Sequence, residues 1–141
     1  MEKMTQEEWR DFVSAGTRTG KLATVRADGR PHVVPVWFVL DGDELLFNCG
    51  PGSVKARNLL RDPRVTICVD DEQPPFAFVQ LEGVAAVADD PVQLRRWAGA
   101  IGGRYMGAHR AEEFGARNGV APELLVRVRI GRVIASRGIA D

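Results

Sequence analysis

The chain of 141 residues is poor in the side chains that enzymes most often use directly: it has two cysteines, two histidines and one tyrosine. Cys49 and Cys68 form no CxxC pair, and a chain of this length can build its own core, so a disulfide framework and a thiolate zinc site are both disfavoured. Both read as small buried hydrophobes. His32 and His109 make no HExxH pair, no GxSxG elbow is present, and neither cysteine has a histidine near it in sequence. Metal hydrolysis and triad chemistry therefore lack their parts, and no metal is expected. His32, after a turn and Pro31, reads as a structural or surface residue, and His109 as a solvated loop residue. Nor is there an excess of charge of one sign. Nineteen Lys plus Arg face nineteen Asp plus Glu, which leaves no overall field to concentrate the chain on nucleic acid or anionic lipid. No apolar run nears the roughly 20 residues of a membrane helix, and residues 1–10 are polar and acidic rather than charged and then apolar. A cytoplasmic protein is expected, with neither nucleic acid nor membrane as partner. The neighbouring carboxylates Glu7/Glu8, Asp70/Asp71, Asp89/Asp90 and Glu112/Glu113 point in different directions on any regular element, so they read as caps and turn formers rather than as acid–base pairs.

What the chain does have is an ordinary globular composition, 45 % apolar and 27 % charged, enough to bury about two-thirds of its surface in one domain spanning residues 1–141. Thr5-x-x-Glu8 is a capping box that opens a first helix with Trp9, Phe12 and Val13 on its apolar stripe. Strands are predicted over 22–26 and 32–40, joined by Ala27-Asp28-Gly29-Arg30, where Asp-Gly is a hairpin signal with both turn positions wanting positive φ. Asp41-Gly42 leads into a third strand over 44–49. A short helix over 54–60, capped by Ser53, ends at Asp62-Pro63. Strands follow over 65–70 and 76–87, separated by Pro74-Pro75, with Gly83 marking a bulge. Asp90-Pro91 starts a helix carrying Leu94, Trp97, Ala98, Ile101 and Tyr105 on one face. A further helix over 111–118 precedes a last strand over 124–130 that continues past Gly131 through Val133 and Ile134. Six or seven mostly antiparallel strands in so short a chain favour a closed or partly closed barrel over a flat sheet, giving a mainly β fold with short helices.

The segment Gly50-Pro51-Gly52-Ser53-Val54-Lys55-Ala56-Arg57-Asn58-Leu59-Leu60-Arg61 carries the chemistry. Glycines before a helix let backbone N–H groups approach an anion, and Lys55, Arg57, Asn58 and Arg61 add donors within two turns. By spacing alone, anion binding and a solvated basic helix face stand about even.

The run Thr19-Gly20-Lys21-Leu22-Ala23-Thr24-Val25, then Asp28-Gly29-Arg30-Pro31-His32-Val33-Val34-Pro35-Val36-Trp37-Phe38, then Lys55-x-Arg57-Asn58-Leu59-x-Arg61-Asp62-Pro63-Arg64 resembles the pyridoxamine-phosphate-oxidase-like flavin- and deazaflavin-dependent oxidoreductases. The likeness is closest to their actinobacterial deazaflavin-binding branch and covers roughly residues 5–135, with Gly103-Arg104-Tyr105-Met106-Gly107 also similar to that branch. The resemblance implies an FMN-binding-type split β-barrel that works as a homodimer, with cofactor sites at the subunit interface. It implies that the tricyclic ring lies against Pro35, Val36, Trp37 and Phe38. The stretch 47–58, including Asn48, would hold the ribityl and phosphate portions. By position, Lys55 goes to the phosphate, Arg57 and Asn58 to the phosphate or its extension, and Ser53 is an added donor. Arg61 is a weaker phosphate candidate. Phe76 and Phe78 would pack over the ring from the other subunit. Lys55, Arg57, Arg61 and Arg64, with Arg104 from the long helix, would form a cation surplus suited to the glutamate tail of coenzyme F420. The expected function is therefore F420-dependent hydride transfer to an electron-poor small organic substrate. The alternatives are an FMN-binding oxidase or reductase of the same fold, or a non-catalytic cofactor-binding protein. Tyr105 is a possible proton donor, although a place in the helix core is the commoner role. No side chain is assigned as catalytic, because the ring performs the difficult step.

Overall fold

In the computed structural model, which describes residues 1–141, the capping box forms as the sequence predicts. A two-residue strand β1 (Glu2–Lys3) precedes helix α1 (Gln6–Ser14); the Glu8 N–H donates to Thr5 Oγ1 at 3.2 Å and the Thr5 N–H to Glu8 Oε1 at 3.1 Å. Two glycine turns then build hairpins. Gly29 (φ 88°) joins β2 (Gly20–Val25) to β3 (Pro31–Val36), and Gly42 (φ 57°) joins β4 (Val39–Asp41) to β5 (Glu44–Cys49). These are left-handed conformations that glycine adopts without a Cβ penalty. Asp28 does not share the positive φ expected of it; its carboxylate accepts from the Arg30 N–H and Nε instead.

The remaining elements are α2 (Val54–Arg61), β6 (Arg64–Asp71), β7 (Ala77–Ala88), α3 (Pro91–Met106), a 3-10 turn (Ala108–Arg110), α4 (Ala111–Asn118) and β8 (Leu124–Arg137). All eight strands join one antiparallel sheet in the order β3-β2-β6-β7-β8-β5-β4, with β1 beside the end of β8. The register of β7 and β8 shifts at Glu82/Gly83. A Cβ on Gly83 would stand 2.5 Å from the Arg129 carbonyl oxygen, so only glycine allows the two strands to press together at this bulge.

One expectation fails in an informative way. Residues 32–40 form not one strand but β3 and β4, which lie at opposite ends of the sheet. Only Trp37 and Phe38 separate them, so the chain itself bridges the split of the barrel. Phe38 drives the crossing: its ring is fully buried, packed on Gly20 so closely that a Cβ there would lie 3.2 Å from Phe38 Cδ1 and 2.8 Å from Ile67 Cγ2. Around Phe38 the core takes Leu22, Ile67, Val69, Val79, Leu81, Val126 and Val128 from the sheet, Trp9 and Val13 from α1, and Ala56 and Leu59 from α2. Outside the sheet, α3 covers β5 and β8 through Leu94 on Leu46 and Leu125. α4 packs tightly on α3, where a Cβ on Gly102 would fall 2.2 Å from that of Phe114. No helix is long and apolar enough to cross a membrane.

Candidate functional site

The Trp37–Phe38 bridge leaves the ladder, so its backbone polar groups need partners from elsewhere. The last turn of α3 provides them. The Phe38 N–H donates to Tyr105 Oη at 3.3 Å, and Tyr105 Oη in turn donates to the Arg18 carbonyl at 2.7 Å. Arg104 donates from Nη1 to the Phe38 carbonyl at 2.8 Å, from Nη2 to the Val13 carbonyl at 2.7 Å and from Nε to the Gly16 carbonyl at 3.0 Å. Two consecutive residues of α3 thus hold both backbone groups of Phe38 and tie the bridge to the end of α1. The Trp37 ring stacks on Tyr105 with centroids 5.1 Å apart and planes 3° apart, and meets Phe114 edge-on at 5.9 Å. Burial pushes the Tyr105 hydroxyl up from its ordinary range, and desolvation lowers Arg104. Tyr105 is therefore neutral, and its hydroxyl proton is engaged by the Arg18 carbonyl, the core role the sequence favours.

Beside the bridge opens a cleft of about 330 Å³ lined by Pro35, Val36, Trp37, Asn48, Lys55, Ile101, Asn118 and Glu123. The sequence-predicted residues Pro35, Val36, Trp37, Asn48 and Lys55 come together here from the end of β3, from β5 and from the first turn of α2. Asn48 Nδ2 donates to the Asn118 carbonyl at 3.1 Å, which fixes the amide and leaves its oxygen unpartnered. Lys55 is half-buried and makes no hydrogen bond or ion pair. The Cys49 thiol next to it in β5 is raised by burial, lowered by Lys55 and Ser53, and raised by Glu123. It is a buried, protonated thiol, as the sequence predicts for Cys49; Cys68 is only half-buried.

Several residues placed at this site by position lie elsewhere. Phe38 is sealed in the core. Asn58 is buried and its Nδ2 donates to Thr24 Oγ1 at 3.0 Å, a core contact between α2 and β2. Ser53 caps α2, accepting from the Ala56 N–H and donating to the Gly50 carbonyl. Arg61 reaches the Val25 carbonyl. Arg64 grips Asp62 through Nε at 3.0 Å and Nη2 at 2.8 Å. Phe76 precedes β7 and Phe78 lies at its start, away from the cleft of their own subunit, as a role toward the other subunit's ring requires. Of the five cations expected to form a surplus, Arg61, Arg64 and Arg104 are held by protein partners, and Lys55 and the exposed Arg57 remain free. Ile101, Asn118 and Glu123 were not anticipated. Asn118 ends α4 and Glu123 follows Pro122, positions that mark loops and carry no signal of where they fold.

The sequence matches the pyridoxamine 5'-phosphate oxidase family over residues 5–136. Among solved structures it is similar to a conserved hypothetical protein from Mycobacterium tuberculosis, at 32% identity and a TM-score of 0.84, over 98% of this chain and 89% of that one. It is also similar to an F420 reductase, at 26% identity and a TM-score of 0.68, over 87% of this chain and 94% of that one. An FAD-binding protein from Mesorhizobium loti shares the fold, at 24% identity and a TM-score of 0.70, over 96% and 97% of the two chains.

Proposed function

Because the chain belongs to the pyridoxamine 5'-phosphate oxidase family, we propose that it is an oxidoreductase that binds a phosphorylated tricyclic redox cofactor, coenzyme F420, as a homodimer. The observation that carries this reading is the free, half-buried Lys55 in a cleft walled by the Trp37 indole. A cation that lines a cleft without a protein partner is free to take an anionic group. The donor set fits such a cofactor: a cation for the anionic end, a fixed amide at Asn48 for a polyol, and an aromatic wall for the ring. When bound, the cofactor supplies hydride transfer to an electron-poor C=C, C=N or C=O group. The chain's own part is to hold and orient. Lys55 takes the anionic end, Asn48 accepts a hydroxyl, and Trp37, pinned by its stack on Tyr105, presents a fixed face.

The dimer is supported by two features. The cleft lies at the low end of the roughly 300–1,000 Å³ of ligand pockets, so one subunit supplies only part of a site for a large cofactor. In addition, the register lines up Val33, Ala23, Thr66, Glu82 and Arg132 in one row across the outer face of the sheet. α3 covers the β5–β8 end of this face, and away from it Val33 is 66% exposed and Val84 45%. A second reading, FMN in place of F420, is favoured by the three held arginines, since a glutamate tail then meets few free cations.

Titrating the apo protein with F420 and with FMN, while following tryptophan fluorescence, decides between them. Lys55→Ala should weaken the preferred cofactor by about tenfold or more, the equivalent of the roughly 1.5–3 kcal/mol of a charge-assisted contact. Unchanged affinity in this variant, or a monomer by sedimentation, refutes the site or the dimer respectively. Tight binding without turnover across a panel of enones and quinones would instead favour a carrier.

A further inference from the structure

Glu123 is the one carboxylate in the cleft, and nothing in the family resemblance gives it a role. It is half-buried, its carboxylate makes no hydrogen bond or ion pair, and its Oε1 lies over Gly50, 3.5 Å from where a Cβ on that glycine would stand. Lys55 lines the same cleft and is equally unpartnered. Two opposite charges that line one small cleft without closing into an ion pair leave a space between them for a ligand that satisfies both. Lys55 is the one cation that lines this cleft; Arg61, Arg64 and Arg104 reach other partners, Arg57 is exposed outside it, and Arg95 lines the neighbouring pocket on the other side of Glu123.

We infer that Glu123 is a specificity-determining residue that offsets Lys55, so that the cleft accepts one compact anionic group flanked by hydroxyl or N–H donors and disfavours further negative charge. This rests on the reading of the cleft as the cofactor site. The lining carries one positive and one negative side chain, so its formal charge sums to zero, and an incoming anion is drawn by contact with Lys55 rather than by a net field. Hydroxyl or N–H groups beside that anion find their acceptor in the Glu123 carboxylate. A chain of carboxylates meets repulsion at the same place, so the glutamate tail of F420 would have to run outside the cleft, which weighs toward the second reading, FMN. That Glu123 and Lys55 act with opposite signs on the Cys49 thiol agrees with their shared location.

Glu123→Gln removes the charge and keeps the shape, and the side chain has no protein partner whose loss would disturb folding. Two measurements test the inference. The first needs no ligand: collisional quenching of Trp37 by iodide, caesium and acrylamide, with Trp37→Phe subtracted to isolate its signal. In Glu123→Gln, iodide quenching should rise about twofold relative to acrylamide and caesium quenching should fall, as expected for removal of one screened nearby charge. Lys55→Met should move both the other way. Unchanged ratios in Glu123→Gln overturn the inference. The second compares riboflavin, FMN and F420. Glu123→Gln should strengthen the anionic ligands relative to riboflavin by about threefold to fivefold, most for F420. Equal changes for all three also overturn it. If the wild type binds none of the three, the cofactor reading fails and the quenching ratios alone decide the role of Glu123.

Discussion

Replacing Arg104 by Met tests whether the bridge between β3 and β4 depends on α3. The Met side chain keeps most of the aliphatic stem and removes a guanidinium that donates to Val13, Gly16 and Phe38 carbonyls at 2.7, 3.0 and 2.8 Å. A hydrogen bond to a charged group contributes roughly 1.5–3 kcal/mol when buried. Arg104 is half-buried, so water can reach part of what it leaves, and a total of about 3 kcal/mol is the reasonable expectation for the three. Unfolding entropy near 2.1 cal/mol/K per residue gives about 0.3 kcal/mol/K for 141 residues. The melting temperature should therefore fall by about 10 °C. Urea unfolding followed by far-UV circular dichroism gives the free energy, and near-UV dichroism reports the Trp37–Tyr105 stack. Arg104→Lys offers a point charge in place of a planar fork and should recover a third of the loss at best. If Arg104→Met unfolds within about 0.5 kcal/mol of the parent, as surface substitutions do, the three contacts do not hold the bridge and the reasoning is wrong.

Asn58→Ala should cost about 1–3 kcal/mol by leaving the buried Thr24 hydroxyl without its donor; Asn58→Leu combined with Thr24→Val should recover most of it, as urea unfolding of the single and double variants would show. Asp62 titrates at about 2, held down first by its side-chain bond to Arg64 and then by the Arg64 N–H. Its folded value is depressed, so whatever it contributes to stability is present above the ordinary carboxylate range and is lost as pH falls from about 4 towards 2. Carboxyl carbon NMR should show this low midpoint, and Arg64→Gln should return it towards the usual range; an unmoved midpoint excludes the pair as its cause. Tyr105, raised by burial, should ionise above the ordinary phenol range, with stability falling as pH climbs past about 10. Ultraviolet difference titration against Tyr105→Phe checks both.

Local chemistry made most elements readable. Thr5 with Glu8, Ser53, Asp90-Pro91 and the Gly42 turn each act within a few residues, and each stands where the sequence predicts. The bulge at Gly83 was legible for the same reason. The break inside 32–40 was not. The run's one proline, Pro35, sits inside β3 opposite Lys21 and not at the break, and the groups that make the break tolerable, Arg104 and Tyr105, lie 66 and 67 residues away in sequence. The site divides along the same line. Lys55 and Asn48 sit on elements that the sequence delimits, whereas Asn118 and Glu123 reach the cleft through the packing of α4 and the path of the loop after it. Asn58 shows the opposite error. A polar residue on a basic helix suggests a ligand contact, but the helical period turns it inward, onto Thr24 of β2.

The place of β8 in the sheet has a consequence for how the molecule is made. It is the last strand to emerge during synthesis, yet it alone connects β7 to β5. Until residues 124–137 leave the ribosome, the nascent chain holds two separate pieces, β3-β2-β6-β7 and the β4–β5 hairpin, each with a raw edge awaiting the same missing partner. Assembly is thereby deferred until β8 has emerged, and a chain that loses this strand is left as fragments rather than as a smaller version of the whole.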